Sequence, residues 1–320
     1  DQLCEEYGAR VDVAVRSSAT VEDSAEASFA GQCESYLNIH GHKSVLKHWK
    51  LCCASLFTER AVSYQLAKSM DPLDAALAVV IMKMVRSDLA TSGVMFTLDP
   101  DSGHPGVVHI SSSYGLGELV VQGSVSPDHF TVWKEGLRKG HRAIVHRFLG
   151  AKDIQMVYGA QGASEFTESI DVTSARQRQW SLTLEEVLEL ARMALKIEEH
   201  YGRPMDIEWA KDGRSQDLFI VQARPETVHA QAEPSRLIRY VMDAGLVQSL
   251  IQSGHVLAEG QAVGTRIGCG RVRRYKDYEE VIVRKRALRN RLVAGESMED
   301  IPYDERVFDK GDVLVTEMTT

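Results

Sequence analysis

V-A-V-R-S-S-A-T-V-E-D-S-A-E-A-S-F-A-G-Q, residues 13–32, is the most informative stretch of the chain. Val11, Val13 and Val15 alternate with Asp12, Ala14 and Arg16, which is the period of a strand with one apolar face. That strand delivers a single arginine into a Ser-Ser-Ala turn, and a loop of small residues ending in Gly31 follows. A fixed guanidinium beside exposed backbone N–H groups suits a polyphosphate.

Composition narrows the field around that stretch. A length of 320 residues suggests roughly two domains, and 44% apolar residues supply ordinary cores. A net charge of −8 argues against nonspecific binding to nucleic acid or to an acidic membrane. No segment approaches the ~20 apolar residues of a membrane span. The best candidate, residues 75–85, carries Lys83 and reads as a buried strand. The opening Asp-Gln-Leu-Cys lacks the basic-then-apolar order of a signal peptide. Five cysteines without C-x-x-C spacing read as reduced thiols, which points to the cytoplasm. The eleven histidines form no H-E-x-x-H pattern, so any metal is expected to be a hard, oxygen-bound ion carried with phosphate. The absence of an initiator Met and the stop at Met318-Thr319-Thr320 lead us to expect a piece of a longer polypeptide.

Periodicity places the elements. Residues 43–70 read as helical, with Val45, Leu46, Trp49, Leu56 and Val62 on a broad apolar face. Strands are expected at 76–85, 93–98, 107–110, 130–133 and 143–148, with turn signals at 99–103 and at Gly115 and Gly117. Residues 159–178 read as a loop. The clearest helix is 184–200, capped by Thr183 with Glu186 three residues on and ended by Gly202 and Pro204. After Arg224-Pro225 the pattern weakens into a linker, and a glycine-punctuated, β-rich unit begins near Val256.

A hairpin of residues 205–210 and 218–223 around Lys211-Asp212-Gly213 holds the second constellation. Residues two apart in a strand share a face, so Asp206 and Glu208 point one way and Ile207 and Trp209 the other. Gln222 and Arg224 share a face of the partner strand. Paired, the strands present two carboxylates, an amide and a guanidinium. Such oxygens suit Mg²⁺, and Arg224 can hold a phosphate that carboxylates alone would repel. The plainer alternative is a solvated face with ordinary cross-strand pairing.

Six segments carry a family resemblance: residues 13–32, M-V-R-S-D-L-A-T-S-G-V-M-F-T-L-D (84–99), G-L-G-E-L-V-V-Q-G-S-V-S-P-D (115–128), H-Y-G-R-P-M (200–205), D-I-E-W-A (206–210) and V-Q-A-R-P-E-T-V (221–228). Together they resemble the phosphoenolpyruvate synthase and pyruvate phosphate dikinase family, in register over roughly residues 11–229. The resemblance resumes at 258–268 and 311–319. It implies an α+β fold: an ATP-grasp nucleotide-binding domain over 1–230 lacking its N-terminal edge, a linker over 231–254, and the start of a β-rich mobile phosphohistidine (swivelling) domain over 255–320.

Position by position, the resemblance implies that Arg16 contacts the ATP phosphates, with Gly31 lining the phosphate loop and Ser35 close by. Met84 and Val85 fall on the hinge strand that meets adenine. Glu208 and Gln222 hold metal and phosphate, Asp206 supports them, and Arg224 clamps the phosphates. Arg16 and Arg224 are the catalytic pair, Mg²⁺ the cofactor and ATP the substrate. The implied parent enzyme is a cytoplasmic homodimer that converts ATP, pyruvate and water to AMP, phosphoenolpyruvate and phosphate through a phosphohistidine outside this chain. It uses pyruvate in domains beyond this chain, with no nucleic-acid or membrane partner. A rifamycin phosphotransferase or another dikinase is the same-class alternative. A nucleotide-sensing module without transfer is the other-class alternative, disfavoured by the intact set of Arg16, Glu208, Gln222 and Arg224.

The chain departs from the family pattern at Met82, where relatives often carry Gln, and in the long charged stretch 275–309. The basic run Arg284, Lys285, Arg286, Arg289 and Arg291 reads as a solvated helix face. Thr227-Val228-His229 imitates the family's T-x-H nucleophile but lacks its glycine-rich context, so His229 is taken as a chance match.

Overall fold

The computed structural model describes residues 2–8, 11–19, 23–24, 27–28, 35–67, 76–159, 166–227, 229, 244–255, 270–275, 278–293, 295–297, 301–302, 307 and 312–315. They fall into two compact units, Asp1–Ala258 and Glu259–Thr320.

The first unit opens with α1 (Gln2–Tyr7), β1 (Asp12–Ala19), the two-residue pair β2 (Asp23–Ser24) and β3 (Ala27–Ser28), and β4 (Ser35–His40). Next come α2 (His42–Ser55), α3 (Glu59–Ala67) and β5 (Leu77–Lys83). β1 lies between β4 and β5, antiparallel to both. Its odd positions Val13 and Val15 pack with Ile39 and with Cys52 of α2. The even positions Asp12, Ala14 and Arg16 therefore project from the opposite face, and Ala14 clusters there with Met84 and Leu116.

A larger set of elements follows: β6 (Thr91–Phe96), β7 (Val107–Tyr114), α4 (Glu118–Val121), β8 (Asp128–Trp133), α5 (Lys134–Arg138) and β9 (Ile144–Phe148). The unit continues through β10 (Ile154–Tyr158), β11 (Thr167–Asp171), α6 (Ser174–Gln177), α7 (Leu184–Tyr201), β12 (Met205–Lys211), β13 (Leu218–Pro225) and α8 (Ala244–Gln252). Six strands make one antiparallel sheet in the order β13-β12-β6-β7-β8-β9. One face buries Met95, Ile110, Phe130, Ile207 and Trp209 against Val187, Leu190, Ala191 and Ala194 of α7. The other face is polar. Cross-strand pairing sets out two rows on it, Gln222–Glu208–Val94–Ser111–His129–Phe148 and Arg224–Asp206–Phe96–His109–Thr131–His146.

α7 starts where its cap demands. The Thr183 hydroxyl accepts from the Glu186 N–H while the Glu186 carboxylate accepts from the Thr183 N–H. Gly202 ends it in the left-handed region at φ 65°. The β12–β13 ladder slips by one residue between Glu208 and Trp209, so Glu208 faces Gln222 while Trp209 faces Ile220 and Val221 is left over as a bulge.

Several expectations are corrected. The helix over 43–70 is two helices with a turn at 56–58, and Leu46 and Trp49 are exposed rather than packed. β5 is an edge strand with Val80 and Ile81 exposed, not a buried one. The loop over 159–178 contains β11 and α6, and α8 lies inside the weakly patterned stretch after Pro225.

In the second unit β14 (Arg271–Arg274) runs parallel to β15 (Asp312–Val315), and α9 (Tyr278–Val293) lies between them in sequence. Tyr275, Val281 and Val307 form its small buried cluster, and Arg273 pairs with Asp312. α9 carries the basic run on a surface that is mostly exposed. No helix among the described residues is long and apolar enough to cross a membrane.

Candidate functional site

Arg16 of β1 and the β12–β13 hairpin meet, although they lie far apart in sequence. The Arg16 Nη2 donates to Glu208 Oε2 at 2.9 Å and to Gln222 Oε1 at 2.6 Å. Glu208 and Gln222 can converge because they are directly paired across the hairpin. Arg224 and Asp206 form the adjoining pair. There Arg224 Nε donates to Asp206 Oδ2 at 2.9 Å, and Nη2 lies 2.8 Å from the same oxygen. Burial holds the Asp206 carboxyl above its ordinary value, and the Arg224 charge opposes that rise only in part. The sheet thus presents alternating charges at one corner of its polar face. Ile207 and Trp209, one residue out of phase, are in the core.

Ser35 stands directly across the β1–β4 ladder from Arg16. Met84 is buried at the end of β5, its N–H donating 3.0 Å to the Asp12 carbonyl, and half-buried Val85 follows it. Gly31 lies outside the described residues. The His229 N–H donates to both Glu226 carboxylate oxygens, at 3.1 and 3.0 Å, and its Nε2–H donates to the Pro100 carbonyl at 2.7 Å.

Residues 1–243 match the family described as the pyruvate phosphate dikinase AMP/ATP-binding domain. The chain belongs to this family. The phosphoenolpyruvate synthase of Deinococcus radiodurans is 45% identical over 314 residues, covering 98% of this chain and 36% of that protein. That of Escherichia coli is 47% identical over 307 residues, covering 96% and 34%. That of Pseudomonas aeruginosa is 48% identical over 270 residues, covering 84% and 33%. The chain thus spans about a third of the length of these curated relatives.

Within this dikinase AMP/ATP-binding domain, the sequence reading missed a second polar network beside Met84. Asp12 shares a face of β1 with Arg16, and its Oδ2 accepts from the Tyr158 hydroxyl of β10 at 2.7 Å. The Arg86 guanidinium lies 4.4 Å from the Tyr158 ring centroid and donates to both oxygens of buried Asp88, at 2.8 and 2.7 Å. Its backbone N–H donates to Asp212 in the hairpin turn at 3.2 Å, and its carbonyl accepts from the Gly213 N–H at 3.0 Å. Arg86 and Asp88 lie inside M-V-R-S-D, Asp12 in the alternating strand and Asp212-Gly213 in the hairpin turn, but no signal joined them. Tyr158 sits in a strand that the pattern did not mark.

Proposed function

We propose that this chain is the nucleotide-binding part of a phosphoenolpyruvate synthase, the enzyme that turns ATP, pyruvate and water into AMP, phosphoenolpyruvate and phosphate. The reading assigns an ATP-grasp fold to residues 1–230, a linker to 231–254 and the start of a mobile phosphohistidine domain to 255–320. The parent enzyme is read as a cytoplasmic homodimer whose pyruvate site lies in further domains. The convergence of Arg16 with Glu208 and Gln222 carries this reading.

In this assignment Arg16 and Arg224 bind the phosphates, with Ser35 and Gly31 beside them and Met84 and Val85 against adenine. The residues fit Mg²⁺ by the chemistry of their donors. The Glu208 and Gln222 oxygens already complement one cationic nitrogen of Arg16, and Mg²⁺ requires few protein ligands when phosphate and water supply the rest. Among the described residues no three His, Cys, Asp or Glu side chains gather about a point, so a site here rests on Glu208 and Gln222 with Asp206 in support. When bound, the ion neutralises phosphate charge. The chain's own contribution is positioning and preorganised charge for phosphoryl transfer.

Calorimetric titration with Mg²⁺ and a non-hydrolysable ATP analogue tests the assignment. The chain is expected to bind, and Glu208→Gln to weaken binding by about tenfold or more through loss of a charged ligand. Equal affinity in a folded Glu208→Gln variant would remove Glu208 from the site. In the full-length enzyme the nucleotide product is expected to be AMP, and stoichiometric ADP would refute the reaction.

A further inference from the structure

We propose that Tyr158 is a positioning residue for nucleotide binding, holding the Lys83–Val85 segment in place through its hydrogen bond to Asp12. The proposal rests on the reading above, in which that segment meets the adenine end of ATP.

Asp12 is the joint. Its backbone carbonyl accepts from the Met84 N–H at 3.0 Å, and its side chain accepts from Tyr158 at 2.7 Å. Lys83 reinforces the same corner, its Nζ donating to the Met84 carbonyl at 3.2 Å and lying 3.7 Å from Asp12 Oδ1. Both backbone polar groups of Met84 are therefore fixed by Asp12 and its neighbour.

Tyr158 is itself immobilised from three directions. Arg86 covers its ring, and Arg86 is anchored by Asp88. The ring packs with Met82 and Met156 around buried Ala14, Met84 and Leu116. Its strand pairs with β11, whose preceding residue Phe166 accepts from the Asn38 amide at 2.8 Å. Burial and the Asp12 carboxylate both push the Tyr158 hydroxyl up from its ordinary value, so it remains a donor at every physiological pH.

The geometry also explains why the residue serves the ligand rather than the fold alone. Asp12, Ala14 and Arg16 share one face of β1. The first meets Tyr158, the second the methionine cluster, and the third the hairpin. Releasing Asp12 loosens the Met84 end of that face while leaving the Arg16 end attached to Glu208 and Gln222. Loss of the Tyr158 hydroxyl should then be felt by the base of the nucleotide and not by its phosphates.

Calorimetry on the 320-residue chain with AMP and with a non-hydrolysable ATP analogue plus Mg²⁺ provides the test. Tyr158→Phe and Asp12→Ala are each expected to weaken both ligands by about tenfold or more and by the same factor, the size of one charge-assisted hydrogen bond. Asp12→Asn, which keeps an acceptor for Tyr158, should restore most of the affinity. The double variant Tyr158→Phe/Asp12→Ala should lose no more than Asp12→Ala alone, because Asp12→Ala already removes the bond to Tyr158 together with the Lys83 pair. Arg16→Ala should instead weaken the ATP analogue more than AMP. Unchanged affinity in Tyr158→Phe beside a weakened Arg16→Ala would overturn the positioning role and leave the site assignment standing. Additive losses in the double variant would overturn it as well. Failure of the unmodified chain to bind either nucleotide would overturn both.

Discussion

Lys152–Asp128 and Arg16–Glu208 are both ion pairs between segments distant in sequence, yet one is sealed and the other open. Asp128 and Lys152 have no exposed side-chain surface. Asp128 also accepts from the Gly150 and Ser181 N–H groups and the Ser181 hydroxyl, while Lys152 donates to the Gly150 carbonyl as well. Every direction around that carboxylate is used, and the pair fastens two loops to the start of β8. Arg16 and Glu208 keep 20% and 24% of their side-chain surface in contact with solvent. A charge already fully satisfied can only hold structure, whereas one that water still reaches can trade partners.

The contrast breaks or survives on stability measurements. Lys152→Met leaves Asp128 buried without its counter-charge and is expected to cost about 3–5 kcal/mol. Urea unfolding reads this directly, and a cost below 1 kcal/mol would mean that the sealed pair is not structural.

The half-buried histidines on the polar sheet face fall between the two cases. His129 is pulled down to about 4, by burial first and by His109 second, and its Nδ1 lies 3.2 Å from His109 Nε2 and 3.0 Å from the Ser111 hydroxyl. The unfolded chain takes up this proton near 6.5, while the folded chain resists it until about pH 4. Its contribution is therefore complete above pH 6.5, falls as pH drops below that, and is gone below 4. The swing is about 3 kcal/mol at most. Comparing urea midpoints at pH 7.5 and 4.5 should show His129→Asn losing much of this pH dependence, and an identical dependence in both proteins would contradict it.

Arg16→Ala comes last. For a pair in contact with solvent the expected loss is about 1 kcal/mol or less. A loss as large as that of Lys152→Met would erase the distinction between sealed and open.

The residues of the open pair stood out in the sequence and those of the sealed one did not, for a physical reason. Arg16, Asp206, Glu208, Gln222 and Arg224 sit in strands, where a period of two fixes which side chains share a face, and the structure brings them together at one corner. α7 was equally legible because its cap and glycine terminator are local. Lys152 lies in a loop at φ 45°, and nothing local marks it as buried. Arg16 and Glu208 meet across 192 positions and Tyr158 and Asp12 across 146, both beyond the reach of periodicity, and only the family resemblance implied the first of these meetings. The break between α2 and α3 has neither glycine nor proline, and exposed Leu46 and Trp49 made the apolar face look broader than the part that packs.

The leftover residue Val221 has a consequence for insertions and deletions. Leu218 and Ile220 pack against the core cluster, as does Ala223, while Gln222 faces Glu208 and Arg224 faces Asp206. Leu218, Ile220, Gln222 and Arg224 all have even numbers, so a regular strand would turn all four the same way. One spare residue resets the phase, greasy before it and polar after it. Deleting Val221 would force a choice between lost core contacts and an arginine turned inward. A residue added to the 212–217 turn leaves that phase alone, so length variation that the turn can absorb is lethal to the site a few positions later.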